Sequence, residues 1–132
     1  MTYDEAFKLL NKITEQELNE MAQIGEFDTY AVWVRTNDPG NIPHFHVWDI
    51  NTHGDKFHTC VRLDKPEYFH HNGKEDSFNS KEKKELMQFL SSIDIDEEDR
   101  TYWQTLVIEW NRNNSSRKVD KNLSMPDYRL LN

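Results

Sequence analysis

The chain has 132 residues, 36% of them hydrophobic and 30% charged, and its 24 acidic against 16 basic residues give a formal net charge of -8. That length predicts a single domain, 1–132, with one core of moderate size, and four Trp, five Tyr and seven Phe supply apolar area that the lean hydrophobic fraction would otherwise lack. The acidic balance repels phosphate backbones and excludes a general DNA or RNA binder, while the single cysteine, Cys60, excludes an internal disulfide and a multi-thiolate zinc site within one chain.

From Tyr3 to about Ile24, Ala6, Leu9, Leu10, Ile13, Leu18, Met21 and Ala22 recur at helical spacing. Thr14 and Glu17 make a possible capping box, so this stretch predicts a helical N-terminal segment, 1–25, ending at Gly25. The stretch carries charges among its apolar residues and lacks the apolar core of a signal peptide; no run reaches the length of a membrane span. With one cysteine, the expected setting is a reducing cytoplasm.

Three strands follow within residues 27–63. FDTYAVWVRT, 27–36, is rich in aromatic and β-branched residues; HFHVWDI, 44–50, and KFHTCVRL, 56–63, flank a hairpin loop at 51–55 that contains Gly54. They predict a three-stranded, or slightly larger, antiparallel meander. Alternation places His44, His46, Trp48 and Ile50 on one face of the second strand and Phe45, Val47 and Asp49 on the other. In the third, His58, Cys60 and Arg62 oppose Phe57, Thr59, Val61 and Leu63. Both faces of the second strand are partly apolar, which predicts that both are covered.

After Pro66 comes a polar loop with aromatic residues Tyr68, Phe69 and Phe78. Asn79 or Ser80 caps a helix over 79–93, where Leu86, Phe89, Leu90 and Ile93 form one stripe. The acidic DIDEED connection reads as solvated and suited to the start of a second helix, 98–112, with Trp103, Leu106, Val107 and Trp110 facing the core. Residues 113–132 read as an extended tail pinned by Met125, Tyr128 and Leu130. The expected fold class is α+β: the sheet packed by N-terminal helices and the two C-terminal helices.

The six histidines, His44, His46, His53, His58, His70 and His71, all fall in the middle of the chain. A His-x-His strand pair puts two imidazoles on one face, so His44, His46 and His58 are candidate ligands for a divalent transition metal such as zinc, with Asp49 or Asp55 as oxygen donors. A metal-free version uses two histidines as general acid and base on a phosphodiester, with Arg35 or Arg62 holding phosphate. Against both stands packing: imidazoles set against Trp33 and Trp48 with a ring nitrogen on backbone or carboxylate. No complete catalytic motif is present, so an enzyme and a resident cofactor are not the first expectation. Cys60, central in a strand, reads as a small buried packing residue.

The stretch Asn41 to Val47, N-I-P-H-F-H-V, preceded by Trp33-Val34-Arg35, resembles small bacterial proteins with a P-P-H-[FI]-H-V-like strand, often encoded in toxin–antitoxin-like or mobile gene pairs; the likeness spans about residues 27–92. The blocks Ile42 to His46, Glu67 to His70, Trp110 to Asn114 and Met125 to Tyr128 also resemble phage and gut-bacterial reading frames. The resemblance implies a mobile-element accessory protein, anti-defence or toxin–antitoxin-like, and assigns no mechanism. Together with the acidic charge it leads to an expected protein partner, met through Tyr68, Phe69, His70 and His71. The alternative is a His-dependent metal-binding hydrolase, a phosphodiesterase or ribonuclease centred on His44, His46 and His58.

Overall fold

The computed structural model describes residues 21–36, 42–70 and 75–132. Four antiparallel strands form a meander in sequence order: β1 (Met21–Phe27), β2 (Tyr30–Arg35), β3 (His44–Asp49) and β4 (His58–Arg62). Two helices follow, α1 (Ser80–Ser91) and α2 (Tyr102–Asn113). The α+β class and the antiparallel meander stand as expected, with one strand more than the three read individually. Residues 1–20 of the expected helical segment lie outside the described residues.

The additional strand corrects the reading of residues 21–25 as helix. Ile24, the only fully buried residue of β1, points into the core, and the register against β2 shifts between Gln23 and Gly25. Such a bulge breaks the two-residue alternation by which a strand is recognised. Gly25 is no helix stop: a Cβ there would lie 2.7 Å from Cζ of Phe89 and 3.0 Å from Cε1 of Tyr102, so the residue lets strand and helices approach closely. The stretch 27–36 divides as well. Phe27 pairs with Tyr30 across a two-residue turn whose first member, Asp28, has φ 51, a conformation that Asp tolerates better than most residues.

One face of the sheet meets the helices. Val32, Val34, Phe45, Val47, Val61 and Leu63 bury against Leu86, Phe89, Leu90, Leu106, Val107 and Trp110 in a single core. Each helix starts on a capping box, Asn79 with Glu82 and Thr101 with Gln104. Glu82 also accepts a hydrogen bond from the Tyr30 hydroxyl, tying the start of α1 to β2. The acidic connection does not supply the start of α2, whose first turn contains no acidic residue. Instead Asp94 turns inward, 3% exposed, and accepts hydrogen bonds from the Thr105 hydroxyl at 2.5 Å and the Asp96 N–H at 2.9 Å. Asp96 to Asp99 remain exposed as expected.

The C-terminal segment folds over the core and contains short 3-10 turns at Ser115–Arg117 and Tyr128–Leu130. Tyr128 is fully buried and donates from its hydroxyl to the Arg62 carbonyl at 2.6 Å. Leu131 takes the buried position expected of Leu130, which is 62% exposed. Trp103 and Trp110 are core residues, as expected; their indole N–H groups donate to the carbonyls of Leu123 and Arg117.

The β4 edge is lined by later chain. Phe69 N–H donates to the Cys60 carbonyl, Arg62 N–H to the Glu67 carbonyl and Asp76 N–H to the His58 carbonyl, while the Asp76 carboxylate accepts from the His58 N–H.

A candidate metal centre on the second face of the sheet

The face turned away from the aliphatic core is also buried at its centre. Every residue of β3 is buried, so the expectation that both its faces are covered holds. Ala31, Trp33 and Trp48 form a second apolar cluster, with the two indoles stacked at 5.3 Å. Beside them strand pairing sets His46 opposite Cys60 and Trp48 opposite His58. Alternation then brings His46, His58 and Cys60 to one point on this face.

The three side chains converge through heteroatoms. His46 Nδ1 lies 3.1 Å from His58 Nε2 and 3.2 Å from Cys60 Sγ, and Cys60 Sγ lies 3.9 Å from His58 Nε2. The two imidazoles are nearly parallel, 16° apart, with centroids at 5.4 Å. Cys60 is fully buried, His46 is 4% exposed and His58 is half-buried. A ring nitrogen offers one in-plane lone pair or one proton, so His46 Nδ1 cannot make good hydrogen bonds to both neighbours at once. A cation is served by all three atoms together. The donor set, two imidazoles and one thiol, is one that borderline and soft metals prefer.

His44, grouped with His46 and His58 from the sequence, borders this cluster without being one of its three converging residues. It is fully buried, and its Nδ1 sits 2.7 Å from the Ile42 carbonyl; because that oxygen only accepts, Nδ1 carries the proton. The ring packs on Phe69 at 4.5 Å and Trp110 at 5.7 Å, and meets His46 edge-on at 5.2 Å. These contacts are those of a packed imidazole. His58 also touches Trp48, at 5.6 Å, so the indole forms part of the wall of the cluster.

Of the remaining candidates, Asp49, Arg62 and Tyr68 are engaged within the scaffold. Asp49 is buried and accepts from the Thr52 hydroxyl, the Thr52 N–H and the Phe57 N–H, organising the β3–β4 loop. Desolvation pushes its carboxyl up, but these hydrogen bonds outweigh it and hold the group below the usual carboxylate range. Asp55 is exposed on that loop, and His53 adopts φ 51 within it. Arg62 is gripped by Asp64 through Nε at 2.9 Å and a second nitrogen at 2.8 Å, with Glu67 at 3.4 Å. Its charge is already matched, which counts against a role in holding phosphate. Asp64 is lowered chiefly by its hydrogen bonds from Arg62. Tyr68 is half-buried, its hydroxyl accepting from the Phe78 N–H at 2.8 Å, and Phe69 is half-buried against His44. Neither ring is fully exposed to the partner expected to meet this loop. His70 is exposed, 3.4 Å from Glu75, and His71 lies outside the described residues.

Cys60 is the candidate ligand that sequence reasoning passed over. The available signal was a His-x-Cys pair on β4 facing the same side as the His-x-His pair on β3, but matching the two requires the strand register. Among the described residues, no helix is long and apolar enough to cross a membrane. Compared with known proteins, the chain matches no protein family, no curated protein and no solved structure.

Proposed function

We propose that the protein is a small cytosolic metal-binding domain in which His46, His58 and Cys60 hold a divalent transition metal of the zinc class. The observation that carries this reading is the triangle of ligand atoms, with sides of 3.1, 3.2 and 3.9 Å. Zinc with ordinary bond lengths in a tetrahedral site separates two nitrogens by about 3.3 Å and nitrogen from sulfur by about 3.5 Å. Only small side-chain adjustments are then needed to close the three atoms on an ion. The burial of Cys60 and His46 supports an ion that organises the second face of the sheet over one that presents a hydroxide to a bulky substrate such as RNA.

The test is elemental analysis of the purified protein, joined to cobalt substitution. Wild type binds one cobalt ion per chain and shows the near-ultraviolet charge-transfer band of a thiolate ligand. Cys60→Ser loses that band, and His46→Ala binds far more weakly. Wild-type protein with neither bound metal nor a cobalt spectrum at neutral pH would falsify the reading.

A second reading concerns the surface: an accessory protein acting through contact with a protein partner, in a phage or mobile-element setting. It is favoured by three large aliphatic side chains in water, Ile93, Ile95 and Leu130, on a chain of net charge -8. Size-exclusion chromatography and pull-down from a host lysate test it. Recovery of no partner across several salt concentrations counts strongly against it.

A further inference from the structure

The end of the molecule formed by the β1–β2 turn and α1 carries chemistry that the histidine cluster does not use. A groove of about 350 Å³ lies there, with Phe27 and Phe89 on its apolar side and Asp28 and Glu85 on its acidic side. The two rings stack at 5.4 Å, which fixes the apolar wall. Asp28 is exposed at the tip of the hairpin. One oxygen of Glu85, Oε2, is closed off from water and has no hydrogen-bond partner, while Oε1 lies 3.6 Å from the ammonium of the largely exposed Lys81. The ion pair with Lys81 is long and exposed, so Glu85 still presents negative charge to the groove.

Ser92 also lines the groove, and the chain immediately beyond it exposes Ile93 at 54% and Ile95 at 79%, followed by the exposed run Asp96 to Asp99. Aliphatic side chains held in water beside carboxylates complement a segment that brings apolar residues together with positive charge. Nucleic acid and anionic lipid have the wrong sign for this surface.

We propose that the groove and the adjoining loop form a docking surface for a basic amphipathic segment of a partner protein. A lysine or arginine of that segment reaches Glu85 and Asp28, its methylene stem lying along the apolar wall of Phe27. Its apolar side chains cover Ile93 and Ile95. The proposal rests on the accessory-protein reading and is independent of metal binding.

The experiment uses the full chain and a labelled helix-forming peptide of leucine and lysine, with a twin carrying glutamate at every lysine, read by fluorescence anisotropy. The lysine peptide binds, more weakly as salt is raised, and the glutamate twin does not. Glu85→Gln weakens binding about tenfold and Ile95→Ser about fivefold, whereas Asp120→Asn, which removes the same charge elsewhere, changes it by less than about twofold. Equal weakening by Glu85→Gln and Asp120→Asn overturns the proposal, because binding is then unspecific attraction to an acidic protein. Failure of the lysine peptide to bind overturns it as well. If wild type and the Glu85→Gln/Ile95→Ser double variant retain the same lysate partner equally, this surface is wrong while the accessory-protein reading survives.

Discussion

The two faces of this sheet are both buried along β3, but they are built from different chemistry. Toward the helices stand Val32, Val34, Phe45, Val47 and Val61, packed against leucines and aromatic rings. On the other face stand Trp33, His46, Trp48, His58 and Cys60, in which polar atoms lie among indoles. The first face gains stability from area removed from water and from close packing, and its side chains are interchangeable in kind as long as volume is kept. The second buries nitrogen and sulfur, and depends on which atom faces which. Burial on its own therefore says little about what a face is for.

The comparison is broken most severely by removing volume from the aliphatic face. Phe45→Ala is expected to cost about 3–5 kcal/mol in urea unfolding whether or not metal is present. Zinc should act only through the other face: at about a hundred times its dissociation constant it adds about 2.7 kcal/mol to the wild type, and almost nothing to Cys60→Ser. Paired thermal melts with and without a chelator separate these two behaviours. A zinc-dependent stabilisation that survives in Cys60→Ser would show that the faces do not divide as described. The ligand atoms must lose their protons to bind metal, so the zinc increment should shrink as pH falls.

Smaller perturbations sharpen the contrast. Gly25→Ala forces a methyl group against Phe89 and should cost about 1–3 kcal/mol, read in the same unfolding assay. Asp94 tests electrostatics on the helix side. Burial raises its carboxyl, but hydrogen bonds from the Thr105 hydroxyl and the N–H groups of Asp96 and Glu97, with Arg100 nearby, hold it below the usual range. A lowered folded value means that this group stabilises the protein above the ordinary carboxylate pKa of about 4, a contribution lost as pH falls through the folded value. Asp94→Asn should therefore flatten the acid limb of stability against pH, and an unchanged limb would count against the arrangement. Last and smallest, Thr59 lies fully buried on the helix side with no hydrogen-bond partner for its hydroxyl. Thr59→Val should gain about 0.5–1 kcal/mol by removing an unsatisfied polar atom at nearly constant shape.

Much of this architecture was legible from residue order. β2, β3 and β4 follow from β-branched and aromatic runs, and both helices from stripes at three- and four-residue spacing. β1 was hidden because Met21 and Ala22 continue an upstream helical pattern, its bulge spoils alternation, and the Asp28-Thr29 turn lacks the glycine that usually marks a tight hairpin. Of the candidate site, His46 and His58 followed from alternation alone. Replacing His44 by Cys60 required two facts outside a linear reading: the register that sets Cys60 opposite His46, and the Ile42 carbonyl that engages His44.

The pairing of the β4 edge with residues 67, 69 and 76 has a consequence for solubility. An edge strand with free backbone groups invites a second chain to add on, and this one carries the uncharged Thr59-Cys60-Val61 sequence. The His58 and Cys60 carbonyls and the Arg62 N–H already have partners within the chain, so this edge offers few free groups for intermolecular pairing. Changes that loosen the loop after β4 would be felt first as aggregation during expression, before any effect on ligand geometry could be measured.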